Sequence, residues 1–300
     1  MSEAQTATET TTAKETLSAQ LDEARRQLTA QVKLRRDVLK PLELALKALK
    51  SPHENALALY EAGQALATLP TELVLPAGTD AAIAQVNALA DKHLAELEFT
   101  FARDLREAFA ERGIELTGGP TTFVADLFVI KPNMRRRVVE ITFSRQPVTD
   151  KKIKLDVAQV VNAYERAWRD ICERNTDYGQ LLEDLSAVYE RLITLNGKQL
   201  GSRANVVDMY RELILVRQPA GFRKTPSKNS FKDYPKTHFA YDMLQLRRLN
   251  KLYLNDVRLN FGTAQMDTTN DTTSDTARAM FLATGANEGQ FIKDLYFSKE

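Results

Sequence analysis

Asp126 and Glu140 are the two carboxylates whose setting in the chain could support catalysis. Each falls in a β-branched and aromatic run, residues 121–130 and 137–144, and Lys131-Pro-Asn-Met134 between the runs supplies turn chemistry. That pattern predicts a hairpin. With a loop over residues 132–134, Asp126 would sit directly opposite Glu140. Facing side chains lie about 5 Å apart, and like charges there destabilise a sheet. A divalent cation such as Mg²⁺ would remove the penalty, because hard cations take carboxylate oxygens. A two-residue loop would instead shift the register by one and send the carboxylates to opposite faces.

With a helix before the hairpin and another after it, residues 95–175 resemble the restriction-endonuclease-like nucleases, whose hairpin bears an Asp and then a Glu-x-Lys. The resemblance implies metal-dependent phosphodiester cleavage, with Asp126 and Glu140 as metal ligands. Here the second strand reads Glu140-Ile-Thr142, so the family's lysine is missing, and Lys151 or Lys152 would have to reach back to replace it. The competing expectation is structural: the two carboxylates are ion-paired by Arg135, Arg136, Arg137 or Arg145. Other catalytic patterns are missing. The chain has no G-x-x-x-x-G-K-[ST] phosphate loop, no H-E-x-x-H and no paired C-x-x-C. His53, His93 and His238 are far apart, so zinc is not expected, and Gly118-Gly119-Pro120 reads as a turn. Cys172, one helical turn from Trp168, reads as a small buried hydrophobe.

The stronger pattern is one of binding. Between Arg217 and Lys251, Arg223, Lys224, Lys228, Lys232 and Lys236 interleave with Phe222, Phe231 and Tyr234. Lysine and arginine neutralise phosphates and release counterions, while exposed aromatic faces stack on bases. Pro219, Pro226 and Pro235 make the first part of this segment a loop able to mould to a partner. Arg135, Arg136 and Arg137, with Lys151 and Lys152, form a second basic block flanking the second hairpin strand. The alternative is a solvated basic loop that its aromatics anchor to the core, or one that docks on an acidic protein surface.

Charge layout supports the binding reading. The 300 residues carry 41 Lys and Arg against 40 Asp and Glu, a net +1. That balance conceals segregation. Residues 131–154 hold 8 basic and 2 acidic groups, and residues 217–251 hold 9 and 2. A near-neutral total therefore does not argue against nucleic acid. Ordinary apolar content without an 18-residue apolar run predicts no membrane span. A single cysteine and no signal pattern over residues 1–12 predict a cytoplasmic setting.

The elements that must position these residues follow from periodicity. Residues 1–13 lack aromatics and are expected to be a disordered tail. Residues 14–113 are expected to be a helical, coiled-coil-like domain: one helix from Lys14 with Leu17, Leu21, Ala24 and Leu28 as a seam that Gln31 and Arg35 spoil, kinked or restarted at Pro41; a second over 53–69; and a third over 79–113, capped by Thr79 or Asp80 and stopped by Gly113. Residues 114–300 are expected to form an α+β domain built on the antiparallel hairpin, with helices over 155–175, 178–195 and 238–251, strands over 210–217 and 252–261, and a polar loop over 267–276. Glu140–Pro147 and Glu212–Pro219 match at Glu, Arg, Gln and Pro, which raises a duplicated strand-plus-loop unit.

The sequence thus predicts an α+β protein without a resident cofactor. Its N-terminal helices would self-associate or attach to a larger complex, and its basic segments would hold a phosphate backbone. A metal-dependent nuclease and a pure protein scaffold are the two alternatives.

Overall fold

The computed structural model describes residues 3–52, 54–69, 75–264, 278–285 and 287–299, with side chains described from Leu21 onward. The expected polar loop over 267–276 lies outside the described residues. The fold is α+β. The chain divides into a first unit ending at Thr100 and a second starting at Phe101, and the division falls inside a helix.

In the first unit, α1 (Glu3–Ala48) is followed by α2 (Ala56–Ala67) and by α3 (Thr79–Ala110), which runs on into the second unit. Helix α1 opens at Glu3, ahead of the expected start at Lys14. Residues 1–40 contain neither glycine nor proline, and their many Ala, Glu, Gln and Leu residues favour helix. The helix continues through Pro41 instead of restarting there. Ala45 packs with Ala62 and Leu66, and Ala48 packs with Leu59 and Ala90. Such small side chains let helix backbones approach closely. Gly63 serves the same purpose, since a Cβ there would lie 2.1 Å from the Asn87 Oδ1.

The second unit holds two antiparallel sheets. The first comprises β1 (Leu116–Gly119), β2 (Thr122–Ala125), β3 (Phe128–Asn133), β4 (Val138–Phe143) and β5 (Gln146–Pro147) in that order, with β6 (Ile153–Lys154) also pairing β4. Helices α4 (Val157–Cys172) and α5 (Tyr178–Leu195) come next. Then follow β7 (Ala204–Asn205), α6 (Val206–Val216), α7 (Ala220–Lys224) and α8 (Lys236–Arg248). Strands β8 (Tyr253–Leu254), β9 (Val257–Thr263), β10 (Met280–Ala283) and β11 (Gly289–Lys299) complete the second sheet in the order β10-β11-β9-β8, with β7 pairing β11. Ser144 joins the sheets: its Oγ donates to the Phe281 carbonyl at 2.6 Å and accepts from the Ala283 N–H at 3.2 Å.

Two expectations fail in instructive ways. The predicted strand over 210–217 is the helix α6, capped by the Asn205 side chain, which accepts from the Val207 N–H at 3.0 Å. Val206, Met209, Tyr210 and Leu213 are buried at steps of three, one and three, a helical face that the continuous run Leu213-Ile-Leu-Val216 obscures. Because residues 140–143 are strand and residues 212–216 are helix, the two matching octets are not a duplicated structural unit. The predicted hairpin also differs. The run over 121–130 breaks at Asp126 (φ +50°) into β2 and β3, and β3 continues through Pro132 to Asn133. Strand β2 pairs only with residues up to Ile130, so Pro132 lies on an edge where its missing N–H costs nothing.

Packing around α4 forms much of the core. Tyr164 meets Phe109 edge-on at 5.0 Å and Phe128 at 5.5 Å between ring centroids. Cys172, at the end of this helix, is half-buried, and burial pushes its thiol up to about 12. The thiolate is the reactive form. Alkylation by iodoacetamide at pH 8 is therefore expected to be roughly a hundredfold or more slower in the folded chain than in the urea-unfolded chain. Equal rates would contradict the burial argument.

Candidate functional site

The register of the β3–β4 hairpin decides the fate of the carboxylate pair. Glu140 lies opposite Lys131, and Val129 opposite Thr142, with the reversal made over residues 134–137. Asp126 precedes β3 altogether and does not face Glu140, because Pro132 and Asn133 extend the strand instead of turning it. Asp126 Oδ2 accepts a hydrogen bond from the Tyr164 hydroxyl at 2.5 Å, and burial with this carboxylate holds the phenol well above its ordinary range. The two carboxylates line different hollows, Asp126 beside Tyr164 and Trp168, Glu140 beside Arg136 and Lys152. Among the described residues no three His, Cys, Asp or Glu side chains converge as a metal ion would require. The Mg²⁺-bridged pair expected from the sequence is not assembled. Nor does Arg145 neutralise either carboxylate, since its guanidinium stacks over Phe281 at 4.2 Å and Phe291 at 4.9 Å.

What the hairpin does assemble is cationic. A hollow of about 520 Å³ is lined by Lys131 and Asn133 at the end of β3, Arg136 in the turn, Glu140 on β4, and Thr149, Asp150, Lys151 and Lys152 between β5 and β6. Local hydrogen bonds shape both rims. Asn133 Oδ1 accepts from the Arg136 N–H at 2.9 Å, and Thr149 Oγ1 donates to the Lys151 carbonyl at 2.9 Å. Val139 is fully buried between the polar neighbours and ties the floor to the core. Lys131, Arg136, Lys151 and Lys152 are all exposed. None of the four forms an ion pair among the described residues. Four cations thus face two carboxylates, Glu140 and Asp150.

Of the residues expected to contact phosphate, the structure brings Arg136, Lys151 and Lys152 into this hollow. Arg135 and Arg137 are exposed in the same turn but do not line it. Lys131 and Asn133 were not predicted contributors. Their cue was the break in alternation at Lys131-Pro132, which reads as a turn only when β3 is assumed to end there.

The second basic segment is held down rather than free to mould. Gln218 is buried, and its Nε2 donates to the Ile214 and Lys232 carbonyls, each at 2.9 Å. Its Oε1 accepts from the Lys232 N–H at 2.8 Å, so one side chain pairs both backbone groups of a residue fourteen positions on. Between these points Lys224, Lys228 and Lys232 are exposed, whereas the exposed Arg223 donates to the Val216 carbonyl and Lys236 is half-buried at the start of α8. Of the three aromatics only Phe231 is exposed, at 39%. Phe222 and Phe231 pack on each other, edge to face at 5.5 Å, and Tyr234 is buried in the core. Gln218→Ala is expected to remove about 1 kcal/mol of local stability by leaving two half-buried backbone groups without their partner. Limited trypsin digestion should then cut after Lys224 or Lys228 several-fold faster than in the wild type, roughly as the local opening equilibrium shifts. An unchanged rate would show that Gln218 does not hold the loop.

Sequence reasoning missed Asp242, a buried carboxylate of the same region. It is 0% exposed, and it accepts from Arg174 Nη2 at 2.6 Å and from the Tyr234 hydroxyl at 2.6 Å. Arg217 lies over the Tyr234 ring at 5.2 Å. The basic loop therefore rises from a buried ionic anchor.

No family model matches the chain, and neither curated proteins nor solved structures show a significant match to it. Among the described residues no helix is long and apolar enough to cross a membrane.

Proposed function

We propose that this protein is a non-enzymatic, nucleic-acid-binding subunit of a larger intracellular assembly, which holds phosphate backbone in the hollow beside the β3–β4 hairpin. The observation that carries this reading is four exposed cations, Lys131, Arg136, Lys151 and Lys152, gathered around one hollow without ion-pair partners among the described residues. Cations left unpaired in this way attract a polyanion and release its counterions. Asn133 and Thr149 add neutral side chains of the kind that contact phosphate oxygens. The exposed Lys224, Lys228 and Lys232 extend the positive field, with Phe231 the one exposed aromatic of the three beside them.

A scaffold role is the second reading, favoured by the exposed leucines of α1. A gel assay separates these readings from the nuclease alternative. A mixed-sequence oligonucleotide incubated with the chain and Mg²⁺ is expected to shift without being cut. Cutting would revive the nuclease reading, and no shift at low salt would leave the scaffold.

A further inference from the structure

Helix α1 carries an apolar face that the first unit does not use. Its inner face is Val38, Ala45 and Ala48, all buried, with Ala45 and Ala48 packed on α2 and α3. Leu21, Leu28, Val32, Leu39 and Leu46 are instead 55–66% exposed. At about 100° per residue these five side chains fall within about 40° of one another, along a line about 38 Å long. With Arg25, Arg35 and the half-buried Leu42, which also packs on Ala45, Ala62 and Leu66 of the first unit, in the intervening places, the steps alternate between four and three, which is the spacing of a heptad seam. The seam expected through Leu21, Ala24 and Leu28 is spoiled at Gln31 and Arg35; this frame passes beside Ala24 and Gln31, carries Arg35 as one of its places and continues to Leu46.

The pattern is symmetric about the bond between Lys33 and Leu34. Leu21 mirrors Leu46, Leu28 mirrors Leu39, Val32 mirrors Arg35 and Arg25 mirrors Leu42. A patch that maps onto itself through a two-fold axis is what a contact between identical chains requires. We propose that α1 pairs antiparallel with α1 of a second copy of this chain, Leu21 against Leu46 and Leu28 against Leu39 of the second copy.

Charge selects this orientation. A parallel, in-register pair would stack Arg25 on Arg25 and Arg35 on Arg35 inside the seam. The antiparallel pair sets Arg25 against Leu42 and Arg35 against Val32, so each guanidinium lays its stem on an aliphatic side chain and keeps its head in water. Sliding by one heptad in one direction puts Arg25 against Arg35; sliding in the other carries the mate of Leu21 past the helix end at Ala48.

This inference rests on the assembly half of the proposed function and not on the phosphate-binding hollow. The full chain carrying Cys172→Ser, with Leu21→Cys or Leu46→Cys added singly, tests it with a short bis-maleimide cross-linker. The wild-type chain is expected to sediment as a dimer at micromolar concentration. Mixing the two variants should give a cross-linked dimer, and either alone should give roughly tenfold less, because like positions lie about 38 Å apart in the antiparallel pair. Leu28→Asp with Leu39→Asp should weaken the dimer by roughly a hundredfold, with helical circular dichroism unchanged because both sites are exposed. A monomeric wild type overturns the inference, and efficient cross-linking of Leu21→Cys alone overturns the orientation. A monomer that still binds oligonucleotide fails this inference alone; a dimer that does not bind fails the hollow alone.

Discussion

Asp242→Ala is expected to destabilise the second unit by about 3 kcal/mol, the low end of the range for breaking a buried ion pair, because Arg174 is 21% exposed. The carboxylate is 0% exposed, and its loss leaves Arg174 without an anion and the Tyr234 hydroxyl without an acceptor. Asp242→Asn keeps the shape but not the charge, and a smaller loss of about 1.5 kcal/mol is expected. Urea unfolding measures both, and a loss for alanine below about 1 kcal/mol would show that the network is not an anchor. The same region gives a pH signature. Burial and Asp242 raise the Tyr234 hydroxyl well above 10, and burial pushes Tyr178 and Tyr210 up to about 12. These phenols stay protonated in the folded chain while the unfolded chain ionises near its ordinary value of about 10. Their stabilising contribution is complete below about pH 10 and is lost as pH rises from there through about 12. Unfolding midpoints that stay flat over that window would contradict the burial of these hydroxyls.

Charge reversal at Arg136, Lys151 and Lys152 is the second large effect. Each side chain lines the hollow, and removing a cation that neutralises one phosphate should reduce the salt slope of binding by about 0.9. The triple variant is expected to bind a mixed-sequence oligonucleotide roughly a hundredfold more weakly at low salt, with a slope smaller by about 2.7. Reversal at Lys224, Lys228 and Lys232 changes net charge by the same amount without touching the hollow. It therefore controls for a purely long-range field effect, and a loss several-fold smaller is expected. Equal losses from the two triples, measured by fluorescence anisotropy, would move the interface away from the hollow or spread it over both segments.

Local chemistry was legible in the sequence wherever the signals agreed with one another. The expected helix over 178–195 matches α5, because Asp177 caps it, accepting from the Gly179 and Gln180 N–H groups, and Gly197 at φ +64° follows its end. Helix α3 was legible from its apolar spacing and from Gly113 at φ +71° beyond its end, although Thr79 and Asp80, expected as caps, lie inside its first turn. What escaped was decided by tertiary context. Pro132 reads as turn chemistry unless β2 is known to stop short of it, and that one point moved the register and separated Asp126 from Glu140. Tyr234 reads as a stacking face until its hydroxyl is seen to donate to Asp242. Asp242 itself could not be singled out, because Arg174 lies 68 residues away and nothing local marks the pair. The basic hollow was half legible: composition showed the cations of residues 131–154, and only the strand pairing showed which of them share a wall.

The central claim is that the cations of the hollow, unpaired among the described residues, bind phosphate backbone. Its most direct measurement is the affinity of the wild-type chain for a fluorescent mixed-sequence oligonucleotide, as DNA and as RNA, from about 50 to about 200 mM salt. Four phosphate contacts predict a slope of about −3.6 for duplex DNA and a loss of roughly a hundredfold over that range. A binding constant that does not change with salt, or no binding at the lowest salt, would contradict the account.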